Sequence, residues 1–80
     1  MKFYVYTEFE GTTPNLTLED AITELNRESV YNNIKHPYKA IGVQENDKYN
    51  NDFLKILEGK IIVTKNIDMS IINKIRREVA

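Results

Sequence analysis

The 80-residue sequence contains no cysteine and no tryptophan, only three glycines and two prolines, and a single histidine. Without cysteine the chain has no disulfide, no thiolate nucleophile and no thiolate metal ligand. Its formal net charge of -1 lacks the strongly basic balance that is typical of nucleic-acid-binding domains. The length suits one small core, so we expect residues 1–80 to form a single domain.

Long apolar runs are also missing. The longest aliphatic stretch is Ile61-Ile62-Val63, whereas a bilayer-spanning helix needs about 20 apolar residues. The first residues lack the apolar run of a signal peptide and meet an acid at Glu8. With 41% hydrophobic and 29% charged residues the composition is that of a globular domain. We therefore expect a cytoplasmic protein with no membrane segment.

Catalytic motifs are absent as well. His36 stands beside Pro37 without a second histidine or a nucleophile nearby in sequence, and a solvated loop position accounts for it. The three glycines are isolated, so no phosphate-binding loop can be formed. Glu8 and Glu10 share one face of a predicted strand, where surface acids are favoured over a paired-carboxylate site. We expect no enzymatic activity, no cofactor and no metal, and an enzyme using His36 or the two glutamates is the weakest alternative.

The first thirty residues predict a strand, a loop and a helix. Phe3, Val5 and Phe9 alternate with Tyr4 and Tyr6, which is the pattern of a strand with one apolar face. The segment 11–15 contains a glycine and a proline and is interpreted as a loop. Thr17 is a helix N-cap whose hydroxyl can accept from the amide of Asp20, with the Asp20 carboxylate reaching back. The helix is predicted over about 18–28.

The remaining chain predicts three strands and a second helix. Residues 38–44 form a strand in which Gly42 marks either a bulge or the close approach of another backbone, and a polar turn follows at 45–48. Residues 53–64 favour a hairpin around Glu58-Gly59, with a short helix over 52–58 as the alternative. Asp68 caps the last helix. The segment 29–37 is ambiguous, although Tyr31 and Ile34 could form one apolar turn.

This order, β-α-β-β-β-α, predicts an α+β fold. Each element has a single apolar face to bury, and a common layer is the simplest way of burying all of them. We expect a single, mostly antiparallel four-stranded sheet with two helices packed on one face.

Three segments carry a family resemblance: Leu16-Thr17-Leu18-Glu19-Asp20-Ala21-Ile22, Lys39-Ala40-Ile41-Gly42-Val43, and Phe53-Leu54-Lys55-Ile56-Leu57-Glu58-Gly59-Lys60. Together they resemble small uncharacterised domains of Gram-positive mobile elements, found alone or inside large polyvalent proteins of conjugative elements and phages. The resemblance implies a small α+β module concerned with interactions between element and host. The shared motifs are structural, so no functional residues are carried over.

Charge is distributed unevenly along the chain. Residues 1–29 contain two basic and six acidic side chains, a net charge of -4, whereas residues 30–80 contain nine and six, a net charge of +3. In the first predicted helix Asp20, Glu24 and Glu28 recur at every fourth position and would form an acidic stripe. Such a stripe fits a basic protein partner, and an ordinary solvated helix face is the alternative.

The tyrosines of the first strand provide a second candidate surface. Tyr4 and Tyr6 project from the face opposite the apolar one, so they are expected to be partly exposed if both helices cover the other face. Exposed tyrosines are common contact anchors, and cross-strand packing within the sheet is the alternative.

The basic C-terminal helix suggests the opposite kind of partner. Lys74, Arg76 and Arg77, with Lys39, could contact phosphates. Cations favoured by the dipole at a helix C-terminus explain the helical residues equally well. The sequence therefore favours a non-enzymatic interaction, inhibitor or accessory module of a mobile genetic element, with an unknown, basic protein as partner and a monomeric or weakly dimeric state. A nucleic-acid-binding accessory domain is the alternative.

Overall fold

The computed structural model describes residues 1–28 and 36–79. Within these ranges the elements are β1 (Lys2–Thr7), β2 (Gly11–Leu16), α1 (Leu18–Asn26), β3 (Lys39–Gln44), β4 (Asp52–Leu57), β5 (Lys60–Val63) and α2 (Met69–Glu78). The strands form one antiparallel sheet in the order β2-β1-β3-β4-β5. The predicted α+β fold with one antiparallel sheet and two helices is confirmed. The sheet has five strands rather than four, and the element order is β-β-α-β-β-β-α.

The additional strand is β2, which occupies the segment predicted to be a loop. Gly11 has a φ of 76°, which allows the chain to turn back directly after β1. Pro14 is tolerated because β2 is an edge strand and pairs along one side only. β1 itself ends at Thr7, so Glu8 and Glu10 lie in the turn between the strands rather than on a strand face.

The hydrophobic core lies between the sheet and the two helices. Phe3 and Val5 on β1 face the same side of the sheet as Ile41 on β3. The antiparallel register places Val5 directly opposite Ile41. The helices contribute buried side chains to this cluster, namely Ala21, Ile22, Leu25, Ile72 and Ile75. Burying each large aliphatic side chain contributes about 1.5–3 kcal/mol. Both helices therefore cover one face of the sheet.

The helix ends follow local side-chain chemistry. Thr17 Oγ1 accepts from the amide of Asp20 at 3.1 Å, as predicted, although among the described contacts the Asp20 carboxylate does not return a bond. α1 ends at Asn26, two residues before the predicted end, because Arg27 has an extended backbone. Lys39 Nζ caps this end by donating to the carbonyls of Leu25 at 2.6 Å and Arg27 at 2.9 Å.

The second helix and the hairpin agree with the sequence patterns. Asp68 Oδ1 accepts from the amide and the hydroxyl of Ser70, and these bonds lower the pKa of Asp68. Glu58 and Gly59 have φ angles of 51° and 79° and form the two-residue turn between β4 and β5, so the alternative helix over 52–58 is wrong. The polar turn at 45–48 is confirmed by a bond from the Lys48 amide to the Glu45 carbonyl.

Two further predictions concern the segment before β3 and the absence of a membrane-spanning helix. The apolar turn suggested for Tyr31 and Ile34 lies outside the described residues. None of the helices described is long and apolar enough to span a bilayer.

Candidate functional site

The sheet face opposite the helices, here called the open face, is the strongest candidate site in the described chain. The strand register places one residue from each strand in a single row across it. In order of the strands the row is Thr12, Tyr6, Ala40, Lys55 and Ile62. A row of side chains fixed by backbone pairing is a rigid surface, which reduces the conformational entropy lost on binding.

Large apolar side chains are exposed on this face. Tyr6 is 38% exposed, Ile62 39% and Leu57 43%, although isoleucine and leucine are usually buried. Tyr38 is half-buried, and the centroid of its ring lies 5.9 Å from that of Tyr6, with an angle of 54° between the two ring planes. Lys55 stands between these groups. We call Tyr6, Tyr38, Lys55, Leu57 and Ile62 the exposed patch.

Tyr4 lies on the same face but is only 1% exposed, so the prediction that it is partly exposed is wrong. Its ring covers Gly42, its cross-strand neighbour, where any Cβ would overlap the phenol. Its hydroxyl donates to Asp52 Oδ1 and accepts from the amide of Asn51 at 2.8 Å. The ring of Tyr49 packs edge-on against it, with 5.7 Å between centroids.

The Tyr4 hydroxyl is a structural donor rather than a reactive group. Burial raises the pKa of Tyr4 well above its ordinary value of 10.0, and the hydrogen bond to Asp52 raises it further. Burial also raises the pKa of Tyr38, and the negative charge of Asp52 raises it further. Tyr4 therefore stays protonated at neutral pH and holds the segment 49–52 against the sheet.

The acidic residues predicted to bind a partner do not form one stripe. Asp20 is exposed in the first turn of α1, whereas Glu28 lies beyond the end of the helix. Glu24 is paired with Arg27 at 3.3 Å, and Arg27 also binds Glu10 at 2.7 Å. Because α1 packs on the opposite side of the sheet from Tyr6, the two predicted partner surfaces are separate.

The basic residues of the nucleic-acid alternative are partly engaged within the protein. Lys39 caps α1, and burial lowers its pKa. Lys74 pairs with Glu78 at 3.1 Å and with Glu19 at 3.7 Å. Arg76 and Arg77 are exposed in the last turn of α2. Of these four basic residues, only Arg76 and Arg77 can bind a partner without breaking a contact found among the described residues.

The groups considered for an enzyme do not come together. His36 is exposed beside Gly59 in the β4–β5 turn, whereas Glu8 and Glu10 belong to the β1–β2 turn, and Glu10 is held by Arg27. In residues 1–28 and 36–79 no group of three or more His, Asp or Glu side chains could hold a metal ion.

A polar cleft of about 410 Å³ lies at one end of the sheet. It is lined by Lys2, Asn15, Gln44, Asn46 and Asp47. The Gln44 amide already accepts from the Asn15 backbone at 2.7 Å and donates to the Asn15 side chain and the Asn46 carbonyl. The Gln44 side chain therefore joins β2 to the turn that follows β3, which is a structural role.

The sequence interpretation missed Lys55, Leu57 and Ile62 as surface candidates. The signal was present in the predicted hairpin, because Leu57 and Ile62 alternate with Ile56 and Ile61 and must face the other side. Comparison of the chain with protein-family models, with curated proteins and with solved structures finds no match.

Proposed function

We propose that this chain is a non-enzymatic protein-interaction module whose contact surface is the exposed patch. The observation that carries the proposal is the exposure of Tyr6, Leu57 and Ile62 on a sheet face that neither helix covers. An inhibitor or accessory role in a mobile genetic element is part of the proposal, and the sequence resemblance alone suggests that setting.

The chemistry of the patch suits a protein surface. Tyrosine offers a large apolar ring together with a hydroxyl, and the flanking aliphatic groups lose contact with water when a partner covers them. Tyr6, Leu57 and Ile62 stand on paired strands, so their backbone is already ordered before binding. Rigid aromatic anchors of this kind contribute much of the binding energy at protein interfaces.

Lys55 suggests what the partner must provide. Its half-buried side chain lies in the row between Ala40 and Ile62, and none of the described ion pairs involves it. A partner that covered the patch without an opposite charge would desolvate this cation at a cost. We therefore propose an apolar partner surface carrying a carboxylate opposite Lys55. The basic partner expected from α1 has less support, because Glu24 is already paired with Arg27.

The test is site-directed photo-crosslinking in cells that contain the natural partner. A crosslinking residue at Ile62 should capture one discrete protein, whereas the same residue at Thr23, exposed on α1, should not. Lys55→Glu should reduce the Ile62 adduct about tenfold or more, since it places like charges together. Asp20→Lys is the matched charge change on the helical side and should leave capture unchanged. Capture from Thr23 but not from Ile62 would contradict the proposal.

The nucleic-acid alternative requires a different result. It expects a gel mobility shift that weakens steeply with salt and is lost in the double variant Arg76→Ala/Arg77→Ala. We expect no shift with single- or double-stranded nucleic acid at low salt.

A further inference from the structure

The outer edge of β5 has a defined set of free backbone groups. Leu57 and Lys60 flank the two-residue turn, and in such hairpins the flanking pair exchanges hydrogen bonds. The bond from the Thr64 amide to the Phe53 carbonyl at 2.9 Å confirms this alternation. The N–H and C=O groups of Ile61 and Val63 consequently point away from β4, and no described residue pairs with them.

The other edge of the sheet is built differently. β2 contains Pro14, which has no N–H, and a register irregularity opposite Phe3–Val5. Proline and bulges are two of the features by which edge strands prevent pairing with another chain, and short length and charge are others. β5 has neither a proline nor a bulge, and its only charged residue is Lys60 at its start. The two edges thus differ in their capacity to accept a further strand.

We propose that β5 pairs with β5 of a second copy, antiparallel and around a two-fold axis that passes beside Ile62. This register places Ile61 opposite Val63 of the second copy, and the reverse. Each of these pairs can exchange two hydrogen bonds, so four bonds satisfy all the outward groups of both residues. The two sheets become one continuous ten-stranded sheet.

Side chains fit the same register. Ile62, 39% exposed in one copy, meets Ile62 of the second copy in a non-hydrogen-bonded pair, where side chains approach most closely. Lys60 stands opposite Thr64 of the second copy, so no like charges face each other across the axis. The half-buried side chains of Ile61 and Val63 meet on the helix-covered side and extend the core. In the alternative register, Ile61 would lie opposite Ile61 of the second copy. Lys60 would then lie opposite Ile62 of the second copy, and the pair of Ile62 side chains would be lost.

This interface is small, so the dimer should be weak. We expect it to bury less than the roughly 1,200 Å² of stable interfaces and to have a dissociation constant on the order of 0.1 mM. The proposal concerns the sheet edge and does not depend on the partner proposed for the exposed patch. Ile62 belongs to both surfaces, so an Ile62 adduct with a second copy is recognised by having twice the mass of the chain, whereas an adduct with another protein has a different mass. Capture by the patch and self-association of the edge can therefore fail separately.

Sedimentation velocity over a concentration series of the full chain tests the proposal. The wild-type protein should pass from monomer to dimer, and Ile62→Lys should raise the dissociation constant about tenfold or more, because it places two lysines opposite each other. Thr12→Lys is the matched control, since Thr12 occupies the same row and face at the other edge. It should dimerise like the wild type.

Hydrogen exchange provides a second measurement that does not use a variant. The amides of Ile61 and Val63 should exchange more slowly at high protein concentration, whereas the outward amides of β2 should not change. A wild-type protein that stays monomeric throughout the series overturns the proposal. So does a dimer that survives Ile62→Lys or is lost in Thr12→Lys.

Discussion

Tyr4 and Tyr6 stand two residues apart on the same strand and the same face, yet one is 1% and the other 38% exposed. The Tyr4 half of the open face is closed, because Gly42 leaves room for the ring and Tyr49 covers it. The Tyr6 half has Ala40 beneath it, and among the described residues the ring of Tyr38 lies beside Tyr6 without covering it. The comparison teaches that strand alternation assigns a side chain to a face, whereas its burial depends on what the rest of the chain lays over that face.

The largest expected effect comes from filling the space under Tyr4. Gly42→Ala should lower the free energy of unfolding by about 3 kcal/mol, because the new methyl group overlaps the phenol and either the ring or the backbone must move. Urea denaturation followed by circular dichroism measures the loss.

The matched control for this substitution removes the ring. In a Tyr4→Ala background, Gly42→Ala should cost much less than in the wild type, giving a clear coupling energy in a double-mutant cycle. Equal costs in both backgrounds would show that the ring does not occupy this space.

Removing the Tyr4 hydroxyl should have the next largest effect. Tyr4→Phe leaves the half-buried Asn51 amide without its partner, whereas the exposed Asp52 carboxylate can bind water, and it should cost about 1–2 kcal/mol in the free energy of unfolding. Tyr6→Phe removes the same atom from the exposed half and should change stability by less than about 0.5 kcal/mol. Similar losses in the two variants would abolish the distinction between the halves.

Alkaline pH should destabilise the protein through Tyr4. The folded state raises the pKa of Tyr4, so the contribution is fully present below the ordinary value of 10.0. Above that pH the unfolded chain releases the proton first, and stability should fall by up to about 1.4 kcal/mol per pH unit for this group. Denaturation at a series of pH values between 8 and 11 gives the free energy of unfolding against pH. Above pH 10 this free energy should fall less steeply for Tyr4→Phe than for the wild type, and equal slopes would count against the prediction.

Uncovering Tyr4 should have a smaller effect. Tyr49→Ala removes an edge-on aromatic contact and should cost about 0.5–1.5 kcal/mol. Because water then reaches the phenol, the pKa of Tyr4 should move toward its ordinary value. Ultraviolet titration of tyrosine ionisation measures that shift, and an unchanged titration would mean that Tyr49 does not provide the cover.

The smallest effect on stability is expected at Tyr6. Tyr6→Thr keeps a strand-favouring residue but loses the ring contact with Tyr38, so it should lower the free energy of unfolding by about 0.5–1 kcal/mol. The same variant should weaken crosslinking from Ile62, because it removes an anchor of the exposed patch. A large loss of stability without any loss of capture would place Tyr6 among the structural residues.

Local signals in the sequence accounted for most of the fold. The caps at Thr17 and Asp68 and the turn at Glu58-Gly59 each depend on neighbouring residues, and all three were identified. β2 was missed because a glycine and Pro14 normally end a strand, and only its position at the edge permits them. The end of α1 depends on Lys39, which arrives from a strand distant in sequence.

For the candidate site, the sequence predicts which face of the sheet each side chain lies on but not which side chains are covered. The sequence placed both Tyr4 and Tyr6 on the correct face, but the cover over Tyr4 comes from residue 49, which no periodicity connects to β1. Gly42 was the available sign, since a glycine within a strand often marks a close approach. The register between β3 and β4 shifts between Ile41 and Gly42, as the predicted bulge requires, and what approaches Gly42 closely is an aromatic side chain rather than another backbone.

The strand order also bears on how the chain folds. Among the described strands, β2 pairs with β1 and β5 with β4 across short turns, and β4 pairs with the strand before it. Only β1 and β3 join segments that are far apart in the chain, with α1 between them. The β1–β2 hairpin and the β3–β4–β5 meander can therefore form early, and their union along this one seam carries the main loop-closure entropy. The folding rate should accordingly respond to Val5 and Ile41 at the seam more than to any side chain of β5.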